Sequence, residues 1–222
     1  MNSLEVTFTL ATPVVIESEH PVHFDGLLAS CVAQEAQEFG SATAWADADD
    51  LSHLLERTDA DANGEWVWKA SQLVYEPASE KFLTSIVRRC EPEAFMQAQS
   101  SGLLAMRRQR SYLSSAAGPE RGYFLNHTYQ WMRSAKAWCI GDPVEIQAAL
   151  QRVHHLGKMG RNGYGMVSGI TVDVVPDAGL WRRRFMPSGH AIDVSKGYIP
   201  GLRRLHAPYW LKSDVTQVQV PI

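Results

Sequence analysis

The sequence predicts an α+β fold of the βαββαβ, ferredoxin-like (RRM-like) kind. Three observations predict it. A strict apolar alternation near the N-terminus leads into a helical pattern. Stretches rich in β-branched and aromatic residues fill the middle of the chain. A second, capped helix then passes through a glycine-dense loop into a last β-branched run.

Leu4 to Thr12 places Leu4, Val6, Phe8 and Leu10 on one side, a half-buried strand that Pro13 ends or marks as an edge. Asp25 is positioned to cap a helix to about Gln37, with Leu28, Val32 and Ala36 at helical spacing and Phe39-Gly40 closing it. Residues 41–64 are acidic and read as an insertion carrying a short helix at Asp49 to Arg57. Trp66 to Tyr75 and Phe82 to Arg89 read as a hairpin turning at Glu76-Pro77-Ala78-Ser79. Residues 91–125 read as a second insertion, with a short helix at Glu91 to Gln99 and then an aperiodic, arginine-bearing loop.

Tyr129 to Ile140 is the next core strand. Asp142 at the N-cap and Pro143 at the first helical position open a helix whose face carries Ile146, Leu150, Val153 and His154, with Gly157 as its stop. Met166 to Val175 is the last strand. Residues 1–175 therefore form the domain and 176–222 a basic, Pro/Gly-punctuated C-terminal extension. Trp66, Trp68, Tyr75, Trp131 and Trp138 sit on expected strands and read as core.

With 222 residues, 45% hydrophobic and 20% charged, the chain can bury a substantial core. No apolar run approaches the roughly 18 residues of a membrane helix, so a cytoplasmic protein with no membrane partner is expected. Cys31, Cys90 and Cys139 are far apart and lack metal-ligand spacing; they read as inert, reduced thiols, and neither metal nor cofactor is expected. The net charge of −3 hides a polarity: residues 1–87 hold 3 Lys/Arg against 15 Asp/Glu, and residues 88–222 hold 18 against 9. A basic face for nucleic acid and an acidic one for a basic protein partner follow from that distribution.

The chemistry concentrates in Leu156 to Val167, where glycines fall at 157, 160, 163 and 165. The order helix, glycine loop, strand is the reverse of a P-loop or a dinucleotide fingerprint, so a nucleotide pyrophosphate on a helix N-terminus is excluded. Four glycines exceed what a tight helix-to-strand turn needs, and a backbone that approaches closely suits single-stranded RNA. Lys158 and Arg161 would then meet phosphates, Asn162 a base edge or 2′-OH, and Tyr164 a base face, on the backbone of Gly160, Gly163 and Gly165. Arginine clusters at Arg88-Arg89, at Arg107, Arg108 and Arg110, and at Arg182-Arg183-Arg184 beside Trp181 and Phe185 extend the expected footprint.

The run Gly157 to Val167 after a helix and before the last core strand resembles the glycine-rich loop of the CRISPR-associated RAMP superfamily of crRNA-binding proteins. Thr12-Pro13-Val14-Val15 leading to the run from Pro21 to Ala29, the Gly141-Asp142 helix and Arg184-Phe185-Met186-Pro187 look like the Cas five group subunit of a type IV effector. The resemblance implies a RAMP domain that caps the 5′ handle of a crRNA and nucleates a ribonucleoprotein. It implies as partners the backbone RAMP subunits, a large subunit and a crRNA-processing endonuclease, with target DNA met through the guide.

Binding without turnover is the expectation. One alternative is a metal-independent endoribonuclease, for which His20, His23, His127, His154 and His155 are the available general bases. The other is a non-catalytic RAMP subunit whose glycine loop packs on a neighbouring protein without touching RNA.

Overall fold

The computed structural model describes residues 1–15, 21–89, 91–103, 121–190, 197–209 and 211–222. They divide into two units, Met1–Glu80 with Gln130–Ile222, and Lys81–Tyr129. In chain order the elements are β1 (Asn2–Leu10), β2 (Val14–Val15), α1 (Phe24–Glu38), α2 (Ala44–Asp47), β3 (Val74–Arg88), α3 (Pro92–Ser100), β4 (Tyr123–Gly141), α4 (Pro143–Leu150), β5 (Val167–Val174), β6 (Met186–Pro187), β7 (Tyr198–Arg203) and β8 (Thr216–Pro221). The architecture is α+β, with antiparallel sheets and few helices.

The larger unit is organised by β1, which is paired on both edges. Leu4 lies opposite Cys139, Val6 opposite Ala137 and Phe8 opposite Ala135 of β4, while Val6 faces Val172 of β5 across the other edge. The alternation read from the sequence thus becomes one buried face, with Leu4, Val6 and Phe8 fully enclosed. Small residues on β4 leave room for the helices. Phe24 and Leu28 of α1 and Ile146 and Leu150 of α4 fill that space, the Phe24 ring meeting Phe8 edge-on at 6.4 Å. The opposite face is polar: Glu5 accepts from Lys136 Nζ at 2.6 Å and from Trp138 Nε1 at 2.8 Å. The Lys136 hydrogen bond holds the Glu5 carboxyl below the usual range despite partial burial.

Several expectations are corrected. α1 begins at Phe24 with His23 at the N-cap and no side-chain cap, because Asp25 is turned inward to a buried arginine. Asp49 to Arg57 is not a helix. Its Leu51, Leu54 and Leu55 are buried in turns that pack on the end of β4, where Leu55 bridges to Gly141; helical spacing here served tertiary packing. The hairpin at Glu76 to Ser79 is absent, and β3 runs straight through Pro77.

Proline is tolerated there because β3 pairs only with β4 among the described strands, so its other edge has no ladder to break. The partner of β3 is therefore β4, with Gln130 Nε2 donating to Ser79 O and Ser134 Oγ to Glu76. Trp131 is 46% exposed instead of core, whereas Trp68 is buried. α4 does end early, at Leu150, so Gly157 is not its stop. Residues 176–222 add a second sheet, β6-β8-β7, with its own cluster of Val67, Trp181, Phe185, Met186, Leu205 and Val218.

The smaller unit contains α3, which the sequence expectation placed within a residue, and the portions of β3 and β4 within Lys81–Tyr129. No residue of α3 is buried. Phe82 and Tyr129 stack at 5.5 Å, and Leu83, Phe124 and Leu125 are exposed. Residues 81–129 hold 7 Lys/Arg against 3 Asp/Glu. Arg107, Arg108 and Arg110 belong to this stretch but lie outside the described residues, as do His20 and Cys90.

Candidate nucleic-acid interface

Residues 151–166 leave α4, turn, and return to β5 as a loop fastened at both ends. Leu156 N–H donates to Gly165 O at 2.8 Å and Val167 N–H to His154 O at 2.9 Å, closing its neck. The turn after β1 clamps it from the side: Lys158 N–H donates to Val15 O at 3.0 Å, Gly165 N–H to Pro13 O at 2.8 Å and Met166 N–H to Thr12 Oγ1 at 2.8 Å. At the tip, a single 3-10 turn (Gly160–Asn162) is closed by Asn162 N–H to Met159 O and Gly163 N–H to Gly160 O, both at 2.9 Å.

Each glycine has a local reason. Gly165 sits at φ 67°, and a Cβ there would lie 1.9 Å from Leu156 O; at Gly157, φ 79°, it would lie 2.7 Å from Val15 O. A Cβ on Gly160 would press on His155 at 3.0 Å, and Gly163, φ 84°, faces open space. The glycine density is therefore what this tightly docked loop requires, which corrects the view that it exceeds a turn's need. Met159 also holds φ 65°, an uncommon conformation for a residue with a side chain and one no spacing rule could flag.

Because the amides of Lys158, Asn162, Gly163, Gly165 and Met166 already donate within the protein, anion binding falls mainly to side chains. Lys158, Arg161 and Asn162 are exposed, Tyr164 is half-buried, and His154 and His155 are exposed at the neck. The loop is thus a fixed platform carrying two cations, an amide and an aromatic, a set suited to phosphate and single-stranded base contacts.

Arg182 and Arg183 form a second place. Arg182 lies over the Trp181 ring at 4.4 Å, Lys69 reaches the same ring at 5.9 Å, and Arg183 lies over Trp138 at 5.3 Å. Cation–π contact orders these guanidinium groups while leaving both residues exposed. The pairing of Arg183 with Trp138 links residues 45 apart in sequence and was not legible. Through Trp138, Arg183 is tied to Glu5 on β1, whereas the glycine loop docks beyond Leu10, so about 17 Å of strand lies between them at roughly 3.3 Å per residue.

Arg184 does not belong to this exposed set, contrary to expectation. It is wholly buried and bonds Asp25 Oδ2 through both terminal nitrogens at 3.2 Å, the Trp68, Ala70 and Leu205 carbonyls, and Tyr209 OH at 2.8 Å. Arg182 ends the 3-10 turn Leu180–Arg182 and the chain bends at Arg183 and Arg184, which turns the third arginine of the run into the interior.

His23 is likewise buried, between Phe185 and Tyr209 with ring centroids at 4.4 and 4.2 Å. Burial, reinforced by Arg184, pushes its pKa down to about 3, and no RNA hydroxyl can reach it. Cys31 and Cys139 are buried, their thiols pushed up by burial to about 11 and about 12. Among the described residues no group of three or more His, Cys, Asp or Glu is placed to hold a metal, and no helix is long and apolar enough to cross a membrane.

A protein-family model described as "CRISPR type IV associated protein Csf3" matches residues 2–221. No curated protein matches the chain.

Proposed function

The chain belongs to the type IV CRISPR-associated Csf3 family, and from that premise we propose that it is the crRNA-binding subunit of a type IV effector ribonucleoprotein. In this reading it holds the 5′ handle and nucleates assembly with backbone RAMP subunits, a large subunit and a crRNA-processing endonuclease. Target DNA is met through the guide RNA. The observation that carries it is the docked glycine loop, whose backbone is committed to the protein while Lys158, Arg161 and Asn162 are exposed.

The element order β1-α1-β3-β4-α4-β5, with β4 and β5 flanking β1 and β3 outside β4, supports the ferredoxin-like RAMP assignment. The stacked Phe82 and Tyr129, in a unit rich in Lys and Arg, offer a further surface for unpaired bases.

The function is binding without turnover. Phosphates pair with loop cations, Asn162 offers an amide to a base edge or 2′-OH, and handle bases are read as single strand. The test is purification of the tagged protein with the products of its neighbouring genes, followed by sequencing of the ends of bound RNA. Discrete small RNAs sharing one constant 5′ sequence, lost in Lys158→Glu/Arg161→Glu, are the expected result. Heterogeneous RNA unaffected by the double change would refute handle binding, and cleavage of precursor RNA by the protein alone would replace it with the endoribonuclease reading.

A further inference from the structure

The end of α1 and the short helix α2 display two aromatic side chains, Phe39 and Trp45, in an acidic stretch. α1 closes with Gly40 N–H donating to Gln37 O at 2.9 Å and Ser41 N–H to Ala36 O at 2.8 Å, Gly40 standing at φ 80°. That stop requires nothing of the Phe39 ring, which is nevertheless 84% exposed. Six residues on, Trp45 is 58% exposed.

The segment between them is braced. Asp47 accepts from Ser41 Oγ at 2.7 Å and from Thr43 Oγ1 at 3.2 Å, while Ala44 and Ala48 are buried beneath. Phe39 and Trp45 are therefore held outward by ordered structure. Rigid aromatic side chains on an otherwise polar surface are the residues that anchor protein interfaces.

Charge decides what covers them. Between residues 35 and 61 there are eight Asp/Glu and one Lys/Arg, Arg57; Arg152 pairs with Glu35 and Glu38 and Lys69 with Glu56, and the acidic groups still outnumber these cations. Such a field repels a phosphodiester backbone and attracts a cationic polypeptide. We propose that Phe39 and Trp45 anchor a docking surface for another protein of the same CRISPR system, through a Lys/Arg-bearing segment with apolar side chains that cover the two rings. The surface lies in the acidic half of the chain, apart from the glycine loop in sequence and opposite to it in charge. The inference rests on family membership and not on RNA binding by the loop.

The test reconstitutes the effector from this protein, the other proteins encoded beside it and crRNA, with p-benzoyl-phenylalanine in place of Trp45. Irradiation is expected to link position 45 to a net-positive peptide of another subunit. Phe39→Ser/Trp45→Ser is expected to lower incorporation into the complex at least tenfold, with a parent affinity that falls as salt is raised, while its melting temperature and RNA affinity stay those of the parent. A crosslink to RNA, a crosslink to a second copy of this chain, or unchanged incorporation of the double variant would overturn the proposal. Lys158→Glu/Arg161→Glu, run alongside, reports on the RNA reading and leaves this result standing whichever way it falls.

Discussion

Replacing Arg184 with Met tests the buried ion pair that joins the C-terminal sheet to α1. Methionine fills much of the same volume, so the loss is chiefly electrostatic and not a cavity. What remains is the Asp25 carboxylate, 1% exposed, with Tyr209 OH at 2.6 Å as its side-chain partner among the described residues, and the carbonyls of Trp68, Ala70 and Leu205 each short of one donor. Removing one partner of a buried pair costs about 3–5 kcal/mol. For a chain of this size that corresponds to a fall in Tm of roughly 6–20 °C at 2–4 °C per kcal/mol.

The companion variant Asp25→Leu/Arg184→Met removes both charges and should recover at least about 1 kcal/mol relative to Arg184→Met alone, since no buried carboxylate is then left unpaired. Urea unfolding followed by far-UV circular dichroism measures both. An Arg184→Met variant within 1 kcal/mol of the parent, or a double variant that loses the sum of the two singles, would refute the assignment of Arg184 as an interior pillar.

Four further outcomes are expected. Gly165→Ala should disrupt the loop, because a methyl 1.9 Å from Leu156 O cannot be accommodated at φ 67°; Gly163→Ala, in open space at φ 84°, should cost only the about 1–2 kcal/mol of a left-handed residue, and thermal melts separate the two. His23, held to about pKa 3 when folded against 6.5 when unfolded, takes up its proton on unfolding, so stability falls as pH drops from about 6.5 towards 3. The loss is about 2 kcal/mol by pH 5, and His23→Phe should flatten that slope in urea titrations, because among the described residues neither ring nitrogen has a hydrogen-bond partner to lose. Lys158→Glu/Arg161→Glu should reduce the salt dependence of RNA binding, log affinity against log salt, by about one unit per lost phosphate contact, measured by fluorescence anisotropy. Cys31 and Cys139, raised to about 11 and 12 by burial, should react with a thiol reagent only after unfolding, counted by mass spectrometry before and after denaturant.

Local rules carried the reading as far as local physics reaches. The alternation of Leu4, Val6 and Phe8 named the buried face of the central strand, since period-two side chains cannot all point to water. Asp142 and Pro143 announced α4, and the Asp142 carboxylate does accept from the Val144 and Glu145 amides at 2.9 and 3.1 Å. Leu51, Leu54 and Leu55 misled because a core-facing turn and a short amphipathic helix show the same apolar spacing. Pro77 misled because an edge strand accepts a proline that a central strand rejects.

By itself, then, the sequence determined the α+β class, the core face of β1, the capped helix α4 and the presence of a glycine loop rich in cations, because each is written in neighbouring residues. Tertiary structure alone decided that the loop docks on Pro13 to Val15 through its own amides, that Arg183 pairs with Trp138, and that Arg184 turns inward to an aspartate 159 positions away. Those outcomes depend on which distant groups fold alongside, and the burial of one arginine among three is set by the partners waiting for it, not by the run in which it stands.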